Sequence, residues 1–278
     1  MISNKKKETY MQVLVSTFGK EGIQRLADAD YPKVDGLEYI VCWQLPDGDC
    51  DIPESLAARD DMKIYKTTSR GLSRNRNEAI AKATAHVVMI ADDDLHYDAE
   101  ALSKLMEYHR MHSSDDIVCA HITENGKRLP TYADIPFSLS ALPKGYYFVS
   151  CELSFKREPL LASGVKFSEL LGIGAPELIV GEEEAFMHQL LKKGFKGSCV
   201  PIVVADHPQS STGERIADSD AFIKTRGALV LLKYPSRWKL QLPITALYTS
   251  RSTKRPFFKV WKLLNEGVKY AKEKKLFD

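Results

Sequence analysis

Long apolar runs are what this chain most plainly lacks. No stretch approaches the roughly 18 uncharged apolar residues that a membrane span needs. The opening residues, Met1-Ile2-Ser3-Asn4-Lys5, carry no apolar segment of a secretory signal, so the cytosol is the expected compartment. Cysteine is scarce: Cys42, Cys50, Cys119, Cys151 and Cys199 are odd in number, scattered, and form no Cys-x-x-Cys pair. That pattern argues against a disulfide framework or a zinc site, and Cys42, Cys119 and Cys199 lie in apolar runs as small core residues. Internal repeats are absent, and apart from Lys5-Lys6-Lys7 nothing reads as low complexity. With 278 residues, 44% of them hydrophobic, the chain can bury one sizeable core carrying an appendage.

The net charge of +2 hides an asymmetry. Residues 224–278 hold 14 Lys and Arg against 3 Asp and Glu, a balance of +11. The preceding residues hold 25 basic and 34 acidic side chains, a balance of −9. A basic segment joined to an acidic domain points to an anionic partner, and either nucleic acid or an anionic membrane leaflet fits.

Hydrophobic patterning sets the fold class. Met11–Thr17 and Leu37–Trp43 read as buried strands, Met62–Tyr65 as a short third one, and Ala85–Ala91 as a fourth. Helical spacing occupies the stretch before Tyr31-Pro32, and again Gly71–Thr84, where Leu72, Ala79, Ile80 and Ala83 share a face. Strands alternating with helices predict a mostly parallel sheet with right-handed crossovers, flanked by helices. Beyond Ile117–Ile122 the rhythm loosens around Pro130, Pro136 and Pro143. Later elements are a strand at Tyr146–Ser150, a helix at Glu182–Lys193 stopped by Gly194, and a strand at Cys199–Ala205. Near the end, a helix over about 256–275 puts Phe257, Val260, Trp261, Leu264 and Val268 on one face with lysines around it. That is the pattern of an interfacial helix or of one packed on its own domain.

Four segments carry chemistry. Asp92-Asp93-Asp94 closes the fourth strand, and three carboxylates there repel unless a cation sits among them. Hard oxygen ligands suit Mg²⁺ or Mn²⁺, and open α/β sheets bind ligands at the carboxyl ends of strands. The competing role for Asp94 is to cap the helix that begins near Asp98. Gly71 to Ile80, with Arg74 and Arg76 at a helix start, suits a phosphate. Gly181-Glu182-Glu183-Glu184 opens a helix, where acidic residues favour the dipole but one carboxylate could also act as a general base. Asp206-His207, ending a strand, could supply an imidazole ligand.

Taken in order, Gly71, Ser73, Arg76 and Asn77, then Asp92 and Asp94, then Gly181-Glu182-Glu183, and finally His207 resemble the family 2 glycosyltransferases. The likeness runs over roughly residues 10–210. It implies an α/β GT-A fold and an inverting, metal-dependent (Mn²⁺ or Mg²⁺) transfer of a sugar from a nucleotide donor to an acceptor hydroxyl. By this resemblance Asp94 and His207 would hold the metal, and Asp92 and Asp93 would lie against the ribose and metal shell. Thr17, Phe18, Arg76 and Asn77 would line the donor, with Glu183, or alternatively Glu182, as the base. Gln44 stands where many members have an aspartate for uracil, and its amide can still pair with a pyrimidine, so UDP is the expected nucleotide.

The implied organisation is a glycosyltransferase domain over 1–223, with a nucleotide-sugar half (about 10–122) and an acceptor half (about 123–223). A basic, largely helical segment follows over 224–278. The implied pathway is bacterial surface polysaccharide synthesis, such as capsule or O-antigen, on a saccharide or lipid-linked acceptor at the inner face of the membrane. Nucleic acid is the less favoured partner. Two other readings compete: a sugar-nucleotide nucleotidyltransferase, for which Thr17-Phe18-Gly19-Lys20 is poor in glycine and lysine, and a non-catalytic membrane- or nucleic-acid-binding module.

Overall fold

The computed structural model describes residues 8–208, 216 and 218–277, and the chain divides into two compact units. The first comprises residues up to 70, then 74–165 and 190–209; the second comprises 71–73, 166–189 and 210–278.

The first unit is built on a ten-stranded sheet. Its strands are β1 (Met11–Phe18), β2 (Leu37–Gln44), β3 (Met62–Thr67), β4 (Val87–Asp92), β5 (His96–Tyr97), β6 (Ile117–Glu124), β7 (Lys127–Arg128), β8 (Phe137–Ser138), β9 (Leu153–Lys156) and β10 (Gly197–His207). The order is β3-β2-β1-β4-β9-β6-β10-β5, with β7 on β6 and β8 on β10. Strands β1 to β4 are parallel to one another, as are β6 and β10, while β9 runs antiparallel between β4 and β6. The apolar runs of β1 and β4 are buried nearly end to end because both faces of a parallel sheet are covered. Gln12 is one of three buried polar residues in β1, with Ser16 and Thr17. Its carbonyl accepts from the Thr84 and Ala85 amides at 2.6 and 3.0 Å, tying the entry of β4 to β1.

The helices that follow these strands are α1 (Gly19–Asp28), α2 (Glu54–Ala57), α3 (Leu72–Lys82), α4 (Ala99–Met111) and α5 (Arg157–Ser163). The cap of α4 is Asp98, whose carboxylate accepts from the Ala101 amide at 2.7 Å. Asp94 is therefore not needed as a cap.

The strand expected at Tyr146–Ser150 is not formed. A 3₁₀ turn covers Ser150–Glu152, and the strand is β9, one step later. The displaced aromatics do other work. The Tyr146 hydroxyl donates to Glu152 Oε1 at 2.8 Å, and its ring packs edge-on against Phe137 and Phe148. The Val149 amide also turns to Glu152 at 3.1 Å, which takes it out of any ladder.

In the second unit, α6 (Glu182–Lys192, its last turn in the first unit) is followed by α7 (Asp220–Lys233), α8 (Trp238–Thr253) and α9 (Phe257–Glu273). Ile223, Val230, Leu242, Ala246, Val260 and Leu264 form a common core against which Phe257 and Trp261 pack. The apolar face of α9 is therefore spent inside its own unit. Helices α7 and α9 cross at two glycines: a Cβ on Gly227 would lie 2.0 Å from the Leu264 carbonyl oxygen, and one on Gly267 1.8 Å from that of Lys224. No helix among the described residues is long and apolar enough to cross a membrane.

Candidate active site

Strand order reverses beside β1, which has β2 on one side and β4 on the other. Such a switch point leaves a crevice at the carboxyl edge of a parallel sheet. Register places Phe18 beside Gln44 and Ser16 beside Asp92, so three sequence-predicted positions from three strands share this edge. Phe18 is half exposed, whereas Thr17 and Gln44 are buried, the Gln44 amide donating to Ser69 Oγ at 2.9 Å.

Helix α3 braces the edge from below. The Asn75 side chain donates to the carbonyls of Thr17, at 3.2 Å, and Cys42, at 3.0 Å, fixing the ends of β1 and β2 together. Asn75 was not among the sequence candidates; an asparagine in a helix start reads as a surface residue until strands are known to lie beneath it. Arg76, 2% exposed, donates from Nη2 to Asp92 Oδ1 at 3.2 Å and to Ser150 Oγ at 2.8 Å. Asn77, one residue on, is half-buried.

The aspartate triplet is divided among different partners. Asp92 faces Arg76, and its backbone carbonyl accepts from the Tyr31 hydroxyl. Asp93 is buried beneath α1, where Arg25 donates to both of its oxygens at 3.0 and 3.2 Å. Burial nonetheless dominates, pushing the Asp93 carboxyl up to about 6, with Thr17 and Arg25 pulling the other way. Asp94, half-buried, lies just past the end of β4. Its Oδ1 is buried, accepts no hydrogen bond among the described residues, and sits 3.4 Å from His207 Nε2.

Pairing of β5 with β10 makes that last meeting. Ala205 opposite Tyr97 and Asp206 opposite His96 fold the chain after the triplet back along β10. Asp206 turns elsewhere, accepting from the Thr123 hydroxyl at 2.5 Å and the Gly126 amide at 2.8 Å.

Two arginines thus supply the cations that the sequence argument assigned wholly to a metal. Among the described residues no group of three or more His, Cys, Asp or Glu is arranged to hold a metal ion. The fit reduces to a pair: one buried carboxylate oxygen lacking a donor, and one imidazole beside it. An oxygen and a nitrogen ligand suit a cation that completes its shell with diphosphate oxygens and water.

The acidic helix start belongs to the second unit. Gly181 takes φ +83°, a left-handed conformation that favours glycine, and a Cβ there would also push on the Leu229 methyl at 2.9 Å. The three glutamates that follow differ in setting. Glu184 pairs with Lys233 at 2.8 Å. Glu182 is buried against Gly172, where a Cβ would come 2.9 Å from its Cδ and 3.2 Å from Ser73 Oγ. Ser73 in turn donates to the Leu171 carbonyl at 2.7 Å. Glu183, between them, is half-buried.

Residues 46–157 match the model described as glycosyl transferase family 2. That segment holds Arg76, Asn77 and the aspartate triplet, and stops short of the glutamates and His207. Among solved structures, S. aureus TarS 1–349 superposes with a TM-score of 0.61 at 16% identity, covering 92% of this chain and 90% of that one. The same protein in complex with UDP-GlcNAc gives 0.58 at 17% identity, covering 87% and 72%. Its complex with UDP gives 0.54 at 18% identity, covering 87% and 71%. No curated protein matches.

Proposed function

We propose that this chain is a family 2 glycosyltransferase of GT-A fold, a reading supported by the match over residues 46–157 and the fold neighbours, and that it moves a sugar from a UDP-sugar to an acceptor hydroxyl with inversion at the anomeric carbon. The observation that carries the reading is the approach of Asp94 to His207, 3.4 Å apart, at the switch-point edge of a sheet whose fold neighbour was solved with UDP-GlcNAc. Phe18, half exposed, lies along that edge beside Gln44, whose sequence-expected role with the base is not met here because it is buried and its amide donates to Ser69. Arg76 holds Asp92 in place, and Arg25 does the same for Asp93, so the triplet enters the reaction already oriented.

Asp94 and His207 would hold a divalent cation, Mn²⁺ or Mg²⁺, whose chemistry is to neutralise charge on the departing nucleoside diphosphate. Glu183 takes the proton from the attacking acceptor hydroxyl. Glu184 is committed to Lys233, and the buried Glu182 packs against Gly172 and positions the helix start. The acceptor we favour is a saccharide, free or lipid-linked, in bacterial surface polysaccharide synthesis.

A nucleotidyltransferase fits the edge poorly, because α1 begins at Gly19 directly after β1 and leaves no glycine-rich loop for a triphosphate. The test is calorimetric titration of UDP and GDP, with and without Mn²⁺, followed by donor hydrolysis across a panel of their sugars. UDP should bind more tightly with Mn²⁺, and Asp94→Asn or His207→Ala should remove the metal's contribution while sparing metal-free binding. Equal UDP affinity with and without metal, or Mn²⁺ dependence unchanged in both variants, would overturn the assignment of the pair.

A further inference from the structure

Helix α8 is apolar on two opposite sides. Leu242, Ala246 and Thr249 face inward and are buried. Leu240, Ile244, Leu247 and Tyr248, which recur at spacings of four, three and one, lie on the other side and are 73%, 60%, 46% and 65% exposed. A helix on the surface of a soluble unit normally places polar residues there. Exposed apolar side chains gathered in one stripe mark a contact surface, unlike single ones scattered over a protein.

The charges around this stripe have one sign. From residue 221 to 265 the sequence contains no Asp or Glu and ten Lys or Arg. Arg237 and Lys239 at one end of α8, and Arg251 and Lys254 at the other, are exposed. Several neighbouring cations are already engaged: Lys233 by Glu184, Arg255 by Asp220, and Lys224 by Glu177 and Glu266.

We propose that the outer face of α8 is a membrane-docking surface. The helix lies along the interface of an anionic bilayer, with Leu240, Ile244 and Leu247 entering the acyl boundary and the four exposed cations meeting lipid headgroups. Apolar insertion flanked by electrostatic attraction is how interfacial helices hold a leaflet. A nucleic-acid backbone would use the cations but gain nothing from an aliphatic stripe. A second copy would bring a like-charged surface against this one. The sequence pattern of α9 suggested the same role, but its apolar face is buried, and α8, whose two-sided pattern has no net polarity, carries the exposed one.

Co-sedimentation of the full chain with vesicles tests this. Binding is expected to phosphatidylcholine vesicles containing a minority of phosphatidylglycerol, to weaken as salt is raised, and to be much weaker to phosphatidylcholine alone. The double variant Ile244→Glu/Leu247→Glu, changed at exposed positions only, should lower the vesicle partition by about tenfold or more. Lys239→Glu/Arg251→Glu, which leaves the apolar stripe intact, should lower it several-fold. Bulk donor hydrolysis should be the same in all three proteins, so failure here leaves the sugar-transfer reading standing. No binding to anionic vesicles, or equal binding by wild type and both variants, overturns the proposal. So does a concentration-dependent dimer that Ile244→Glu/Leu247→Glu dissolves while vesicles remain unbound, since the stripe would then belong to a second copy.

Discussion

Arg25 grips both carboxylate oxygens of Asp93, at 3.0 and 3.2 Å, beside a glycine that has no room for a methyl group. A Cβ on Gly22 would lie 2.3 Å from Thr17 Oγ1 and 2.6 Å from Asp93 Oδ2. Helix α1 can therefore approach the ends of β1 and β4 only because residue 22 is glycine. Alanine in an ordinary helix position is favourable by up to about 1 kcal/mol over glycine. Here Gly22→Ala should instead cost about 1–3 kcal/mol, the usual range for overpacking, and should weaken UDP binding by shifting Asp93. Urea unfolding and calorimetry read the two effects, and a variant as stable as wild type would show that α1 is not seated on the triplet.

The α7–α9 crossing makes the same inversion of sign within the second unit. Gly267→Ala places a methyl 1.8 Å from the Lys224 carbonyl oxygen, a backbone atom that cannot swing away. The helices must separate, opening the cluster of Ile223, Val260 and Leu264. The expected loss is again about 1–3 kcal/mol. Denaturant melts of Gly267→Ala beside an exposed control, Lys269→Ala, separate this from a general effect of substitution in α9.

How far the sequence reveals this molecule differs between elements. Buried parallel strands are legible because both faces are covered and the run is mostly apolar, as in β1 and β4. Strand β9 is not, since Leu153–Lys156 is short and includes Ser154. Ser154 is fully buried because it donates to the Val118 carbonyl at 2.8 Å and meets His109 Nε2 at 2.8 Å. The aspartate triplet is legible as a place that needs positive charge, but not as to its source. Arg25 and Asp93 are 68 residues apart, and no local pattern announces that pair. The capping alternative for Asp94 turned on a boundary of a few residues, which only the backbone geometry at Asp98 decides. Helix α8 was hidden for a further reason: apolar residues on both of its sides cancel the periodicity that reveals an amphipathic helix.

His109 gives the fold a pH dependence remote from the candidate site. Burial among α4, β9 and its neighbours lowers its pKa to about 4, with Lys156 adding to the depression. An unfolded histidine titrates near 6.5. The unfolded chain therefore binds the proton first, and folded stability falls as pH drops from about 6.5 towards 4, levelling below that. The shift corresponds to about 3 kcal/mol in all. Urea unfolding at pH 7 and pH 4.5 should show a smaller difference for His109→Gln than for wild type. His121, also lowered to about 4 by burial, supplies a remainder with the same sign.

Glu182 and Glu183 adjoin in sequence but should fail in different ways. Glu183→Gln keeps the size of the side chain and removes the basic oxygen, so kcat should fall by about 10²–10⁴-fold. The donor KM and UDP affinity should stay near wild type, because the proton is taken from the acceptor. Glu182, at the start of α6, is buried against Gly172, on the loop whose Leu171 carbonyl accepts from Ser73. Glu182→Gln should therefore lower stability and kcat together, with the stability loss visible in the absence of any substrate. A thermal melt run beside steady-state kinetics distinguishes the pair. If Glu182→Gln abolishes turnover at full stability while Glu183→Gln remains active, the base is Glu182, and the half-buried carboxylate serves the helix start alone.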